Sequence, residues 1–209
     1  AAATSKETAI NGAGRFFVGS ILTPADGAAD TVGNNDGGVG AQTGGHIARK
    51  PITETTLGSV SGSGNGKDGN WATKVTASVT GQITSQPASV ILSGFGLAED
   101  FGRYYKNIKL VVKAAASVAN ESDATGTSTL AVRTSINGGS SWTDFRSASA
   151  VGAGASATLA LQIDSIALAD GSDPNQIQVE VRGQGHTGGA NNDGSLVADM
   201  YEAVLLADE

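Results

Sequence analysis

Apolar and polar residues alternate along most of the chain after residue 70, which is typical of β-strands with one buried and one exposed face. The clearest run is TLAVRTSI at positions 129–136. One predicted face carries the apolar or β-branched residues Leu130, Val132, Thr134 and Ile136. The other face carries Ala131, Arg133 and Ser135. This run therefore predicts a strand that packs on a core through its even-numbered residues.

The same spacing recurs between short clusters of Gly, Asn, Asp and Ser, and it predicts about eight strands. These predicted strands are 71–80, 88–92, 107–118, 127–136, 142–147, 155–164, 177–182 and 196–206. Only 97–105 has a sequence that suits a helical turn. Regular short strands with turn signals predict an all-β fold, an antiparallel β-sandwich with jelly-roll-like topology.

Two of the predicted strands carry expectations about which residues face the core. In 155–164 the residues expected on the buried face are Ala157, Leu159, Leu161 and Ile163. In 177–182 the residues expected on the exposed face are Gln178, Glu180 and Arg182. Between 127–136 and 142–147, Asn137 and Gly138 are expected to supply the positive φ angles of a tight hairpin.

Residues 1–70 differ in composition from the rest, because they hold half of the 30 glycines and only two aromatic residues, Phe16 and Phe17. Fixing a backbone of this length costs on the order of 100 kcal/mol, which so few apolar residues would hardly offset. We therefore predict an extended Gly-rich N-terminal arm at 1–70 and a sandwich domain at 71–209. The arm is expected to be ordered by neighbouring subunits or by the sandwich, with strand addition as one mode. A loop-rich subdomain that folds on its own chain is the alternative.

Two short apolar or β-branched segments interrupt the arm. The segment 15–22 is the candidate assembly anchor, through Phe16, Phe17, Val18, Ile21 and Leu22. The segment 52–57, ITETTL, is a further candidate strand because β-branched residues favour strands.

Charge and composition exclude several functional classes. The formal net charge of −7 argues against a nucleic-acid interface, which needs a clustered basic face. The absence of Cys excludes disulfides, thiolate metal sites and cysteine nucleophiles. No apolar run approaches the roughly 18 residues of a membrane span, so no membrane partner is expected. The first residues lack the basic and apolar regions of a signal peptide, which favours synthesis in the cytosol over removal of a leader.

Two glycine-rich segments resemble nucleotide-binding motifs only superficially. Residues 183–188, GQGHTG, fit G-x-G-x-x-G, but the sequence leaves no room for the helix that a dinucleotide site needs. Residues 62–68, GSGNGKD, place Asp68 where a phosphate-binding loop has Ser or Thr. A carboxylate there would repel phosphate, so we expect neither segment to bind a nucleotide.

No group of residues in the sequence forms a catalytic or metal-binding motif, and we expect no catalytic residue and no cofactor. The two histidines, His46 and His186, are expected to be exposed loop residues, and they are too few for a zinc site without Cys. Calcium binding by oxygen-rich loops is the alternative to the absence of a cofactor. Those loops contain Asp164, Asp170 and Asp173, the segment 34–37 and the segment 191–194, the last two both reading NNDG.

Exposed aromatic residues are the candidates for ligand contact. Trp142 follows the predicted hairpin turn, and Tyr104 and Tyr105 follow the predicted helical turn. Packing on the core or its rim is the favoured interpretation of these three residues, and a flat platform for sugars is the alternative.

Three runs carry a resemblance to a known class of protein: LSGFGL at 92–97, YKNIKLVVKA at 105–114 and SINGGSSWT at 135–143. They resemble the β-sandwich modules of tailed-phage virion proteins and of bacterial surface proteins, over about residues 71–206. The resemblance implies a jelly-roll sandwich with an assembly or adhesion role, and no catalytic residues.

The favoured hypothesis is a non-enzymatic structural protein of a virus particle, such as a phage capsid decoration protein or another head or tail component. Its predicted partners are further copies of itself or a major capsid or tail protein, gripped by the arm. The first alternative is a carbohydrate-binding or adhesion module of a tail fibre or cell surface. The second is a subunit of an extracellular filament that assembles by strand addition.

Overall fold

The computed structural model describes residues 46–83, 86–120, 126–185 and 193–208. The strands in these ranges are β1 His46–Arg49, β2 Thr53–Leu57, β3 Ser59–Ser61, β4 Val75–Gln82, β5 Ala88–Ser93, β6 Lys106–Asn120, β7 Thr127–Ser135, β8 Thr143–Val151, β9 Ser156–Ala160, β10 Asp164–Ala167, β11 Gln178–Gln184 and β12 Asp193–Asp208. Two short 3-10 helices, Asn65–Lys67 and Ala98–Asp100, accompany them. No helix in the described ranges has the length and hydropathy needed to cross a membrane.

The strands form two antiparallel sheets, which confirms the predicted β-sandwich. One sheet has seven strands in the order β10-β6-β12-β4-β3, with β1 also paired to β12 and β9 also paired to β6. The other has five strands in the order β2-β5-β11-β7-β8. The five-stranded sheet brings together strands that are far apart in sequence, since β11 lies between β5 and β7.

The core is aliphatic, as the low aromatic content predicts. Strand β6 contributes alternate residues that are all buried, namely Ile108, Leu110, Val112, Ala114, Ala116 and Val118. Strands β7, β11 and β12 contribute Leu130, Val132, Val179, Val181, Leu196, Ala198 and Met200. Phe95 and Tyr105 are the aromatic side chains that are fully buried within the described residues. The alternation of apolar residues therefore predicts most of the inner faces correctly.

Strands β2 and β3 of the sandwich lie before residue 71, within the range predicted as the arm. Among the described residues, 48–207 belong to one compact unit, and Asp208 belongs with His46 and Ile47 to a second one. Strands β2 and β3 pair with β5 and β4. Their β-branched and small residues suit sheet edges. In that second unit, His46 is an exposed residue of strand β1 rather than a loop residue. Its Nδ1 lies 2.6 Å from Oδ1 of Asp208.

Two further expectations about individual strands need correction. The predicted strand 155–164 is two strands, β9 and β10, and the break between them leaves Ile163 exposed. The hairpin between β7 and β8 is longer than a tight turn, and its positive φ angles belong to Gly138 and Gly139. The hydroxyl of Ser135 accepts a hydrogen bond from the N–H of Gly139 at 2.8 Å, which closes this longer turn.

Strand β12 buries one carboxyl group, that of Glu202. Its Oε1 accepts a hydrogen bond from the N–H of Ala203 at 3.2 Å, whereas its Oε2 has no hydrogen-bond partner among the described residues. Burial raises the pKa of Glu202. This rise is opposed by the N–H groups of Ala203 and Gly69 and by the charge of Lys50, whereas the charge of Asp68 adds to it. The folded chain therefore binds the Glu202 proton more tightly than the unfolded chain does.

We expect Glu202→Gln to stabilise the protein at pH 7.5. A raised pKa in the folded state gives stability that is complete below the unfolded pKa, near 4.3, and is lost as pH rises through the folded value. A neutral amide avoids this loss, so the free energy of unfolding should rise by about 1–3 kcal/mol at pH 7.5 and by less at pH 4. Thermal unfolding at both pH values measures it, with exposed Glu99→Gln as the control. Equal or lower stability of Glu202→Gln at pH 7.5 would contradict the expectation.

Candidate functional site

A shallow pocket of about 230 Å3 lies on the outer face of the five-stranded sheet, and we call it the outer-face pocket. Its lining residues are Thr129, Ala131, Arg133, Asp144, Arg182 and Gln184. They come from β7, β8 and β11, which are adjacent in this sheet. Every lining residue except Ala131 has a polar side chain. The pocket is therefore a polar depression on a sheet surface, not an apolar cavity.

Strand alternation places these residues on one face. Val132 and Val181 point into the core, so their neighbours Ala131, Arg133 and Arg182 point outward. The register pairs Arg182 of β11 with Ala131 of β7, and Gln184 with Thr129. The small side chain of Ala131 leaves the space above the middle of the pocket open.

A β-bulge shapes the side of the pocket that borders β8. The register between β7 and β8 shifts after Val132, so that Val132 pairs with Arg146 and Arg133 pairs with Asp144. A bulge turns the side chains beside it and increases the local twist of the strand. This irregularity brings Asp144 opposite Arg133 at the rim of the pocket.

Arg133 is held in place by its neighbours on two sides. Its guanidinium lies 4.7 Å from the centre of the Trp142 ring, a cation–π contact. Its Nε donates to Oε2 of Glu180 in an ion pair. The second carboxylate oxygen of Glu180 accepts a hydrogen bond from the hydroxyl of Ser89 at 2.6 Å. Contrary to the prediction that it faces solvent, Glu180 is only 3% exposed, because these partners cover it.

Arg182 has a different environment from Arg133. Its Nη2 donates to the amide oxygen Oε1 of Gln184, which is a neutral partner. None of the ion pairs among the described residues involves Arg182. The other polar residues of the pocket, Thr129 and Asp144, are exposed to solvent. The pocket thus offers amide, hydroxyl, carboxylate and guanidinium groups to a ligand.

The structure separates the three aromatic residues that were candidates for ligand contact. Trp142 is half-buried beside Arg133 at the edge of the pocket. Tyr104 is 64% exposed and lies against Gly171, in a different loop region. Tyr105 is fully buried, which agrees with the favoured interpretation that it packs in the core, and it is not part of an exposed platform. Phe101, which no sequence motif marks, is the most exposed large apolar residue of the described ranges.

Tyr105 instead anchors a loop through a buried carboxylate. Its hydroxyl donates to Oδ1 of Asp100 at 2.5 Å, and the N–H of Leu97 donates to Oδ2 at 2.7 Å. Nη2 of Arg49 lies 3.3 Å from Oδ1 of the same carboxylate. Burial alone would raise the pKa of Asp100, but the hydrogen bonds from Tyr105 and Leu97 and the charge of Arg49 outweigh it and lower the pKa. This network fixes the loop that carries Phe101 and Tyr104.

In the acidic loops considered for calcium binding, the carboxylate oxygens of the described residues bond to other groups of the protein. Asp164 pairs with Arg146, Oδ1 of Asp170 accepts the N–H of Asn107, and Oδ1 of Asp173 accepts the N–H of Asn175. In the part of the chain that the structure describes, no three His, Asp or Glu residues cluster as metal ligands do. The segments 34–37 and 191–192, and His186, lie outside the described residues.

The glycine-rich segments are structural where they are described. The turn at 62–68 is held by Glu54, whose two carboxylate oxygens accept the N–H groups of Gly64 at 2.7 Å and Gly66 at 3.0 Å. A carboxylate thus occupies the position where a phosphate-binding loop would hold its anion. Gly183 and Gln184 belong to β11, and 186–188 lie outside the described residues. The predicted anchor, Phe16, Phe17, Val18, Ile21 and Leu22, also lies outside them.

No protein-family model matches the chain, and no curated protein matches it either. Among solved structures, it is similar to a truncated AlyQ with CBM32 and alginate lyase domains, at 16% identity and a TM-score of 0.35 over 78% of this chain and 34% of that one. It is similar to TmCBM61 in complex with beta-1,4-galactotriose, at 11% identity and a TM-score of 0.27 over 78% and 88%. The naturally empty top component of cowpea mosaic virus matches at 11% identity and a TM-score of 0.24 over 80% and 82%.

The chain spans about a third of the truncated AlyQ that it matches. All three similar structures are low in sequence identity and in TM-score. Two of them include carbohydrate-binding modules and one is a viral particle. They therefore do not distinguish an adhesive role from a structural one.

Proposed function

We propose that this chain is a non-enzymatic carbohydrate-binding module, at a cell surface or on an adhesive fibre, that holds a sugar in the outer-face pocket. The observation that carries this proposal is the set of polar groups around that pocket. Amide, carboxylate and guanidinium groups can each bond two adjacent hydroxyls of a sugar. Arg133 is already oriented by Glu180 and Trp142, so it would lose little side-chain entropy when a ligand binds.

The size of the pocket suits one sugar unit of a longer chain. Its volume of about 230 Å3 is below the roughly 300–1,000 Å3 of sites that enclose a drug-sized ligand. The remaining units of a glycan would lie along the open sheet surface. A binding site of this kind needs no lid.

The same residues favour binding over cleavage. Glycoside hydrolysis uses two carboxyl groups on either side of the bond that breaks, usually about 5–9.5 Å apart. Of the acidic residues near the pocket, Asp144 is exposed at the rim, whereas the carboxylate of Glu180 is buried and saturated by Arg133 and Ser89. A single free carboxylate supports recognition of hydroxyls rather than acid–base catalysis.

The virion role and the partners predicted for the arm, 1–70, depend on its anchor segment 15–22, which lies outside the described residues. They stay predictions. The predicted role is assembly with copies of the chain or with a capsid or tail protein, and the predicted anchor residues are Phe16, Phe17, Val18, Ile21 and Leu22. Binding of a glycan by the sandwich is compatible with such assembly, because an adhesive tail fibre would need both.

A glycan array probed with the whole chain, followed by calorimetric titration of the strongest glycan, tests the proposal. We expect Gln184→Ala and Thr129→Val to weaken binding by about tenfold, because each removes hydrogen bonds to hydroxyls. Trp142→Ala should weaken it further by releasing Arg133. Tyr104→Ala and Arg146→Ala are the controls, since neither residue lines the pocket, and both should bind normally. No binding to any glycan, or binding that Tyr104→Ala alone removes, would rule out this site.

A further inference from the structure

The charges of the outer-face pocket are unevenly compensated, and this bears on the kind of sugar it would hold. Arg133 has two acidic neighbours, the buried Glu180 and the opposite Asp144. Arg182 forms its hydrogen bond with the neutral Gln184 and has no ion-pair partner among the described residues. The pocket therefore contains one guanidinium whose charge no carboxylate neutralises directly.

The surroundings of Arg182 leave its guanidinium accessible to a ligand. In the neighbouring strands the register places two small residues beside it, Ala131 of β7 and Ser89 of β5. The hydroxyl of Ser89 is committed to Glu180, and Glu180 is committed to Arg133. Arg182 is itself half-buried, so its charge is less screened by water than that of a fully exposed arginine.

Asp144 lies on the opposite side of the same pocket. It belongs to β8, two strands away from Arg182 in β11, which is about 10 Å across the sheet. An anion would be repelled at the Asp144 side and attracted at the Arg182 side, while sugar hydroxyls could donate to Asp144. The pocket is thus polarised across its width.

We infer that the outer-face pocket selects acidic sugars and binds the carboxylate of a uronic acid through Arg182. The planar guanidinium matches a planar carboxylate in a two-point contact, which a lysine or an amide cannot reproduce. Gln184 orients Arg182, and Asp144 accepts hydrogen bonds from hydroxyls at the other side of the sugar. This inference rests on the proposed function, and it specifies the class of sugar that the pocket takes.

The test uses matched pairs of oligosaccharides with the whole chain. Galacturonate and glucuronate oligomers are compared by calorimetry with the same oligomers after reduction of the carboxylate to a hydroxymethyl group. We expect at least one acidic oligomer to bind about tenfold or more tightly than its reduced counterpart, and this preference to decline as salt rises. Arg182→Gln should remove the preference, and Arg182→Lys should restore only part of it. Arg146→Gln, at an arginine paired with Asp164 outside the pocket, should keep it.

The possible failures are distinguishable. If reduced and acidic oligomers bind equally well, or if Arg182→Gln keeps the preference, selection of acidic sugars by Arg182 is overturned while glycan binding stands. If sulfated neutral oligomers bind as tightly as the uronates, the site recognises anions in general and the carboxylate assignment is overturned. If no acidic or neutral glycan binds, the proposed function fails with it. Circular dichroism of each variant confirms that the fold is intact.

Discussion

Replacing Asp100 with alanine should lower the free energy of unfolding by about 3–5 kcal/mol. The carboxylate of Asp100 is buried and accepts hydrogen bonds from the hydroxyl of Tyr105, the N–H of Leu97 and the guanidinium of Arg49. Removing it leaves a buried hydroxyl and a partly buried cation without their acceptor, and such groups cannot regain water inside the protein. Urea unfolding of the variant and the parent at pH 7 measures the loss. Asp173→Ala is the matched control, because that carboxylate is exposed in a turn, and it should cost much less.

The same carboxylate predicts how the effect depends on pH. The pKa of Asp100 is lowered in the folded protein, because its hydrogen bonds and Arg49 outweigh the effect of burial. A lowered pKa gives stability that is present above the unfolded value, near 3.9, and is lost as pH falls toward the folded value. The difference in the free energy of unfolding between the parent and Asp100→Asn should therefore narrow below about pH 4. A gap that stays constant down to pH 2 would show that the charge of Asp100 contributes nothing.

Much of the sandwich could be predicted from the sequence because the alternation of apolar and polar residues corresponds to the alternation of buried and exposed positions. In β6, every second residue from Ile108 to Val118 is buried, and the neighbours at the other positions lie on the outer face. The hairpin of β7 and β8 is also where the sequence places it. Such strands have one face on the core and one toward water, so the chemistry of each residue reflects its side.

Other strands could not be predicted because their sequences lack this contrast. Strands β1 and β3 are only four and three residues long, and β3 is exposed throughout. Short edge strands owe their structure to the neighbour with which they pair, so their own residues carry little signal. The break before Asp164 likewise reflects how β9 and β10 pair with successive parts of β6.

The candidate site was only partly predictable for a related reason. Trp142 stands out in the sequence because tryptophan is rare and follows a glycine turn. Arg133 of β7 looks like an ordinary outward residue, and so do Arg182 and Gln184 of β11, about 50 positions further along the sequence. They meet only because β11 lies next to β7, and this strand order cannot be read from alternation. Glu180 was expected to face solvent, and its burial depends on Arg133 and Ser89 from two neighbouring strands.

Glu180 should couple the stability of the sheet to binding in the outer-face pocket. Glu180→Leu leaves Arg133 without its buried partner, and Arg133→Leu leaves the carboxylate of Glu180 buried and unpaired. Removing one member of a buried pair costs about 3–5 kcal/mol, so each single variant should be strongly destabilised. Each should also bind the selected glycan at least about tenfold more weakly, because Arg133 is lost or displaced.

The double variant Glu180→Leu with Arg133→Leu separates these two effects. Replacing both charges with apolar groups removes the unpaired charge, so stability should recover to within about 1–2 kcal/mol of the parent. Glycan binding should not recover, because the pocket then lacks the guanidinium of Arg133. Urea unfolding and glycan titration of the parent, both single variants and the double variant complete the cycle. A double variant that binds the glycan like the parent would show that Glu180 and Arg133 only hold the sheet together. A double variant that is stable but does not bind the glycan places Arg133 among the residues that contact the sugar.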